Sequence, residues 1–298
     1  MDETISYLGQ VLSLLAAVTW ASAVILFKKS GETVHPIALN LFKNLLAFVL
    51  FLPTLWIFGG TLTRQVPAWE YFLFILSGIL GIGIGDTLFF KSLNRIGAGL
   101  SAIVICLYSP FIIGLSYLWL GEKLAALQAV GALMIIAAVL LTTRVKDTRR
   151  IGRTDLLWGI LWGILATAAM AVGIVMIKPY LVQAPLLWAI EIRLLGGITS
   201  LILIALFHPS RQKIMASLLI PSGRVFTVSG SFVGAYLAML VWLAGMKLIQ
   251  VSIASALNQT STFFVFLFAA LFLREPITLR RTVTIILAVC GAFLVIFG

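Results

Sequence analysis

Four ionisable side chains, Lys43, Asp86, Glu191 and Arg193, stand inside runs that are otherwise apolar. A charged group within a long apolar helix costs several kcal/mol unless it meets a partner or a wet cavity, so each marks a place where a site is to be sought. A carboxylate beside an ammonium group can pair with it or carry a proton, and Asp86 and Glu191 are the coupling candidates. A guanidinium without a partner is suited to a carboxylate or a phosphate, which it grips with two parallel hydrogen bonds; Arg193 is the candidate. Uncharged polar groups add to this set. Asn258, Ser261 and Thr262 recur at i, i+3 and i+4, the spacing of one helical face. Tyr108 stands two residues before Pro110, a residue that frees a backbone carbonyl for other bonds. Asn40 and Asn44 flank Lys43, and Trp20 offers a stacking surface. These residues form the candidate substrate-binding set.

Other chemistries are poorly supplied. Gly83-Ile84-Gly85-Asp86 has the GxGD spacing of intramembrane aspartyl proteases, a remote alternative. That reaction needs two carboxylates sharing one proton, and Asp2, Asp147 and Asp155 all fall at a terminus or in a connection. Neither an HExxH nor a Walker sequence is present. His35 and His208 lie in connections, and Cys106 and Cys290 lie in apolar runs without metal-ligand spacing. No cofactor, no metal and no enzymatic activity are expected.

The elements that must position these residues follow from composition. The chain has 298 residues, 61% hydrophobic and 10% charged, whereas soluble domains carry about 25% charged residues. This is the composition of an all-α integral membrane protein. A helix needs about 20 apolar residues to cross the hydrocarbon. Ten segments qualify: 7–28, 37–58, 69–92, 98–118, 124–143, 155–177, 186–207, 225–247, 252–272 and 279–297. The net charge of +11 is scattered over the connections without a clustered basic face, so no nucleic acid is expected as a partner.

The ten segments say nearly the same thing twice. Residues 78–141 fall on 231–294 without a gap. Gly81 meets Gly234, Phe111 meets Phe264, and Leu120-Gly121-Glu122 meets Leu273-Arg274-Glu275. Upstream, at a shift of 150, Lys28 meets Lys178 and Lys43 meets Arg193. A repeat with five spans per half inserts its halves upside down relative to each other, an arrangement characteristic of secondary transporters. Residues 1–143 and 155–298 are the expected halves, joined by the basic linker 144–154. Fifteen Lys and Arg lie in the odd-to-even connections and four in the others. The positive-inside rule therefore puts the richer side in the cytoplasm and both termini outside. Lys43 and Asp86 then share a depth of roughly 9 Å from the cytoplasmic side, at 1.5 Å per residue, and become a candidate ion pair. Arg193 lies at the mirrored depth, and its half has Met239 where the first has Asp86.

Leu15-Ala16-Ala17-Val18-Thr19-Trp20-Ala21, Lys43 in the second span, Pro110 in the fourth, and the paired Leu-x-Glu motifs at 120–122 and 273–275 resemble the drug/metabolite transporter superfamily, EamA-like branch. The resemblance covers essentially the whole chain. It implies ten helices in two inverted halves, a central cavity, and export or exchange of small metabolites across the inner (plasma) membrane by alternating access. Amino-acid-like compounds are the first substrate class. A lipid or lipid-phosphate flippase is the alternative, since Lys43 and Arg193 suit phosphate. The lipid bilayer and a small-molecule substrate are the expected partners, with proton coupling possible through Asp86. The spans carry no motif that separates a monomer from a homodimer.

Overall fold

Within hydrocarbon every backbone N–H and C=O must find its partner inside the protein, which leaves helices as the form for long apolar runs. The computed structural model, which describes residues 3–121, 125–142, 151–181, 183–248, 257–258 and 260–297, follows that rule. Its helices are α1 (Glu3–Ser30), α2 (Pro36–Ile57), α3 (Ala68–Gly78), α4 (Asp86–Ile105), α5 (Tyr108–Leu120), α6 (Ala126–Thr142), α7 (Arg153–Leu181), α8 (Leu186–Phe207), the short α9 (Arg211–Ala216), α10 (Pro221–Gly230), α11 (Ala238–Leu248), α12 (Ser261–Leu273) and α13 (Leu279–Phe297). Among the described residues, six stretches are long and apolar enough to cross a membrane: Tyr7–Ser30, Pro36–Ile57, Ala68–Ile105, Arg153–Leu181, Leu186–Phe207 and Pro221–Gly245. Tyr108–Leu120, Ala126–Leu141 and Ser261–Leu273 are shorter apolar helices.

Three local departures shape the bundle. Two π-helical turns, Ile79–Gly85 and Ser231–Leu237, join α3 to α4 and α10 to α11. Gly97, at φ 81° and ψ 175°, breaks α4, so its last turns set off in a new direction. The expected spans 69–92 and 98–118 part at this glycine. The second of them is itself interrupted at Cys106 and Leu107, between α4 and α5. Pro110 is the local cause, because it brings no N–H to the carbonyl of Cys106 and its ring crowds that carbonyl. A corresponding turn at Thr260 precedes α12.

Packing interleaves the two halves of the chain. Helices α7 and α8 lie against the first π-helical turn, and α1 and α2 lie against the second. Helix α4 packs on α7, α1 on α11, and α6 on α13. The main buried core collects Phe27, Leu39, Phe51, Phe90, Leu93 and Leu201. A second core gathers Ile96, Leu100, Ile103, Ile135, Ile160 and Ile285.

One end of the bundle is tied by polar contacts, some within a half of the chain and others across the two. Lys28 Nζ donates to the carbonyl of Asn94 at 2.9 Å. The Glu275 carboxylate accepts from the N–H groups of Ala98, at 2.7 Å, and Gly99, at 3.2 Å. It thereby caps the helical turns that restart after Gly97, where orphan N–H groups and the helix dipole favour a negative charge. Buried Arg281 lies 3.6 Å from the same carboxylate. A hydroxyl bond of 2.6 Å joins Ser30 to Thr227, and the N–H of His35 donates to Ser217 Oγ at 3.0 Å. His35 also caps α2, its Nδ1 accepting from Ile37 N–H.

Two outcomes follow from this packing. A Cβ on Gly78 would run into the carbonyl of Arg193, while one on Gly114 would meet nothing within 4 Å. Gly78→Ala therefore destabilises the detergent-solubilised protein by about 1–3 kcal/mol, the usual cost of overpacking. Gly114→Ala stays within about 0.5 kcal/mol of the parent; comparing thermal unfolding of the two variants checks this. Burial, then His208 and Lys91, hold the pKa of His35 below its ordinary value. The unfolded chain thus takes up this proton first, so stability is lost as pH falls below about 6.5. Melting curves between pH 8 and pH 5 should show that loss, and His35→Asn, which keeps a capping side chain, should flatten it.

Candidate functional site

A cavity of about 390 Å³ opens where α1, α2, the first π-helical turn, α5, α7, α8 and α11 converge. Its polar lining is Lys43, Asn44, Asp86, Tyr108, Arg193 and Asn258, and Trp20, Phe51, Met170, Met239 and Trp242 supply much of the remainder. Eight side chains of the cavity wall therefore carry the chemistry: those six and the two tryptophans.

Lys43 and Asp86 meet. Lys43 Nζ donates to Asp86 Oδ2 at 2.5 Å, with both side chains largely buried. The ammonium also lies 5.6 Å from the centre of the Phe90 ring, within cation–π range. Phe90 in turn meets Phe27 edge-on at 5.2 Å between ring centres, and Phe89 adjoins it.

The π-helical turn aims Asp86 at Lys43, and Asn40 holds that turn. An added residue per turn leaves carbonyls without their usual helical donors. Asn40 Nδ2 reaches Ile82 O at 2.8 Å, Gly83 O at 3.4 Å and Thr87 Oγ1 at 3.0 Å. Asn44 in turn donates to the backbone and side-chain oxygens of Asn40. Asn44 touches the cavity, whereas Asn40 is fully buried behind it, its amide engaged. Its role in positioning was not readable from its place beside Lys43.

Arg193 projects from α8 over the same turn. A Cβ on Gly81 would stand 3.2 Å from Arg193 Nη2, so the missing side chain makes room for the guanidinium. Arg193 Nε is buried and has no hydrogen-bond partner, and the same holds for Trp242 Nε1. Glu191, two residues from Arg193, points elsewhere: it is fully buried, absent from the cavity lining, and neither carboxylate oxygen has a hydrogen-bond partner. The roughly 200° between them around the helix keeps the two apart.

Tyr108 and Asn258 reach the cavity from the two helix interruptions. Ser261 and Thr262 are buried beside it, Thr262 Oγ1 lying 3.7 Å from Cys106 Sγ. Neither of them lines the cavity with Asn258, whose neighbour Gln259 lies outside the described residues. Trp20 lies on the wall. Gly81 and Met170 were the less legible lining residues; the glycine run of the third span was the sequence signal for Gly81. Among the described residues no group of three His, Cys, Asp or Glu side chains is placed to hold a metal.

Residues 7–144 and 157–297 each match the EamA-like transporter family. The chain belongs to that family. As a member of it the protein is a multi-pass membrane protein of a transporter type. Similar proteins include an uncharacterized transporter of Archaeoglobus fulgidus, 25% identical over 97% of this chain and 95% of its own length. The uncharacterized inner membrane transporter YhbE of Escherichia coli is 26% identical over 98% of this chain and 89% of its own. YvbV of Bacillus subtilis, also an uncharacterized transporter, is 26% identical over 75% and 71%. A crystal structure with 18% sequence identity superposes with a TM-score of 0.67, covering 99% of this chain and 96% of that one, and supports the fold.

The ion pair gives a stability test. Removing one partner of a buried pair strands the other charge, at a cost of about 3–5 kcal/mol; partial access from the cavity places Asp86→Asn at the lower end, about 3 kcal/mol. The double variant Lys43→Met/Asp86→Leu should recover most of that loss. Chemical unfolding in mixed micelles of the two single variants and the double variant measures the coupling.

Proposed function

We propose that this protein is a secondary transporter that moves a small polar metabolite by alternating access, outward or in exchange, with amino-acid-like compounds as the first substrate class. The observation that carries this reading is a cavity inside the bundle whose polar groups come from both halves: Lys43, Asp86 and Tyr108 from one, Arg193 and Asn258 from the other. A carrier needs such a site between two bodies that can rock about it.

The same reading takes the chain as ten spans in two inverted halves, residues 1–143 and 155–298, joined by the linker 144–154, with both termini outside the plasma membrane. Support comes from features that recur at a shift of about 153. The π-helical turns 79–85 and 231–237 are one pair. The interruptions before Tyr108 and Ser261 are another, and the left-handed caps Gly121 and Arg274 a third. The separate family matches to 7–144 and 157–297 have the same meaning. The linker residues 144–150 and Glu122, the mate of Glu275, lie outside the described residues.

On this topology the tied end is cytoplasmic, and the molecule stands closed towards the cell interior. Glu275 is then a closing contact that the transport cycle must break and remake. Asp86, paired yet touching the cavity, is the coupling carboxylate if protons drive the process. Glu191, away from the cavity, is the weaker candidate.

Purified protein in proteoliposomes should exchange labelled amino-acid-like substrates and leave fluorescent phospholipids unflipped; the opposite pattern selects the lipid carrier. Glu275→Gln should change the exchange rate about tenfold or more, the scale of a lost hydrogen bond to a charged group. An unchanged rate removes Glu275 from the cycle. Unchanged transport with unchanged pH dependence in Asp86→Asn would end its coupling role. A reporter on Gly298 found in the cytoplasm overturns the topology.

A further inference from the structure

The cavity's charges do not balance. Lys43 and Asp86 neutralise each other at 2.5 Å. Arg193 remains: its Nε has no hydrogen-bond partner, and Tyr108 and the already paired Asp86 are the groups it senses electrostatically. Glu191 does not reach the cavity, and Met239 stands where the first half has Asp86. The wall therefore carries one uncompensated positive charge in a low-dielectric setting, where an opposite charge is attracted far more strongly than in water.

A second unmet group stands at the same level. Trp242 Nε1 is buried without an acceptor, like Arg193 Nε. Gly245 of α11 lies against Gly9 and Ser13 near the start of α1. Trp188, near the start of α8, bonds the carbonyl of Leu62 beyond the end of α2. The start of α8 and the end of α11 thus lie at the same end of the bundle, opposite the tied one. Arg193 and Trp242 each sit about two helical turns, roughly 9 Å, in from it. An indole N–H can only donate, and a buried donor left unpaired costs about 1–3 kcal/mol. Two unpaired donors, one of them cationic, share a wall with apolar side chains such as Phe51, Met239 and Leu194.

We propose that Arg193 and Trp242 form the anion pole of this cavity, and that its ligand is an amphipathic organic monoanion, a single carboxylate on an apolar body. This deepens the transport reading and rests on it for its cellular meaning, though not for the binding itself. A carboxylate matches the guanidinium bidentately and accepts further bonds at its remaining lone pairs. A phosphate monoester brings two negative charges to one unmatched cation. A cationic amine meets a wall that is already positive. A zwitterion supplies the carboxylate but leaves the net charge of the site where it was. Among amino-acid-like compounds, those whose amine is absent or acylated fit best. The guanidinium's Nη2 lies over Gly81, and the backbone carbonyl of the same residue lies against Gly78.

Four probes sharing a phenyl group separate these cases at pH 8: 3-phenylpropionate, phenylalanine, 2-phenylethylamine and phenyl phosphate. Binding to the purified full chain is read by tryptophan fluorescence and thermal shift, and flux by proteoliposome uptake of the labelled compounds. The expected result is 3-phenylpropionate binding at least tenfold more tightly than each of the others. Arg193→Gln should weaken it tenfold or more, Arg193→Lys should restore part of the loss, and Trp242→Phe should weaken it severalfold. Arg193→Gln removes an unpaired buried charge, so it should fold at least as well as the parent. Equal binding of the amine, preference for phenyl phosphate, no binding of 3-phenylpropionate, or an Arg193→Gln protein with unchanged affinity overturns the proposal. Arg193-dependent binding without flux leaves the anion pole standing and sinks the transport reading. Flux of carboxylates that ignores Arg193 does the reverse.

Discussion

The amide of Asn40 against the carbonyls of Ile82 and Gly83 is the contact on which the cavity depends. A π-helical turn inside a membrane span exposes carbonyls that water cannot reach, and hydrocarbon tolerates few such groups. With Asn40 and Thr87 serving them, the third span can widen. The widened turn sets Asp86 towards Lys43 and lays Gly81 beneath the Arg193 guanidinium. Without it the span would continue as an ordinary α-helix with its side chains rotated. Two glycines then admit the backbone and the guanidinium of α8, where any side chain would push them away.

The second π-helical turn, Ser231–Leu237, occupies the matching place in the other half without the same polar cargo. There the neighbouring α1 contributes Ala23 and Phe27 against Gly234, and no charged group. The backbone device recurs while the side chains it presents do not. One half neutralises its intramembrane cation with Asp86, and the other leaves its cation facing the cavity. The tie at the far end is similarly asymmetric in what is described, with Glu275 of the second half capping turns of the first.

Much of this was legible. Apolar run lengths marked the six long spans among the described residues, because hydrocarbon thickness sets such lengths. The depth of Lys43 and Asp86 marked their pairing, because two opposite charges at one level of a bilayer have few alternatives to each other. The mate of Asp86, Met239, already pointed to an unbalanced Arg193. Of the i, i+3, i+4 set Asn258, Ser261 and Thr262, Asn258 lines the cavity while the other two are buried off its lining. Asn40 looked like a neighbour of the site and is instead part of its frame.

By itself the sequence determined the class of the molecule and which charges stand inside its apolar runs, since hydropathy and residue identity are local properties read along the chain. Tertiary structure alone decided which polar groups are consumed and which stay open. Whether an amide, a carboxylate or an indole N–H is satisfied depends on carbonyls and hydroxyls contributed by helices far away in sequence. The sequence separations of 42 from Asn40 to Ile82 and 177 from Ala98 to Glu275 are bridged only by the fold. That accounting separates the frame from the site: Asn40 and Glu275 have their bonds, while Arg193 Nε and Trp242 Nε1 do not.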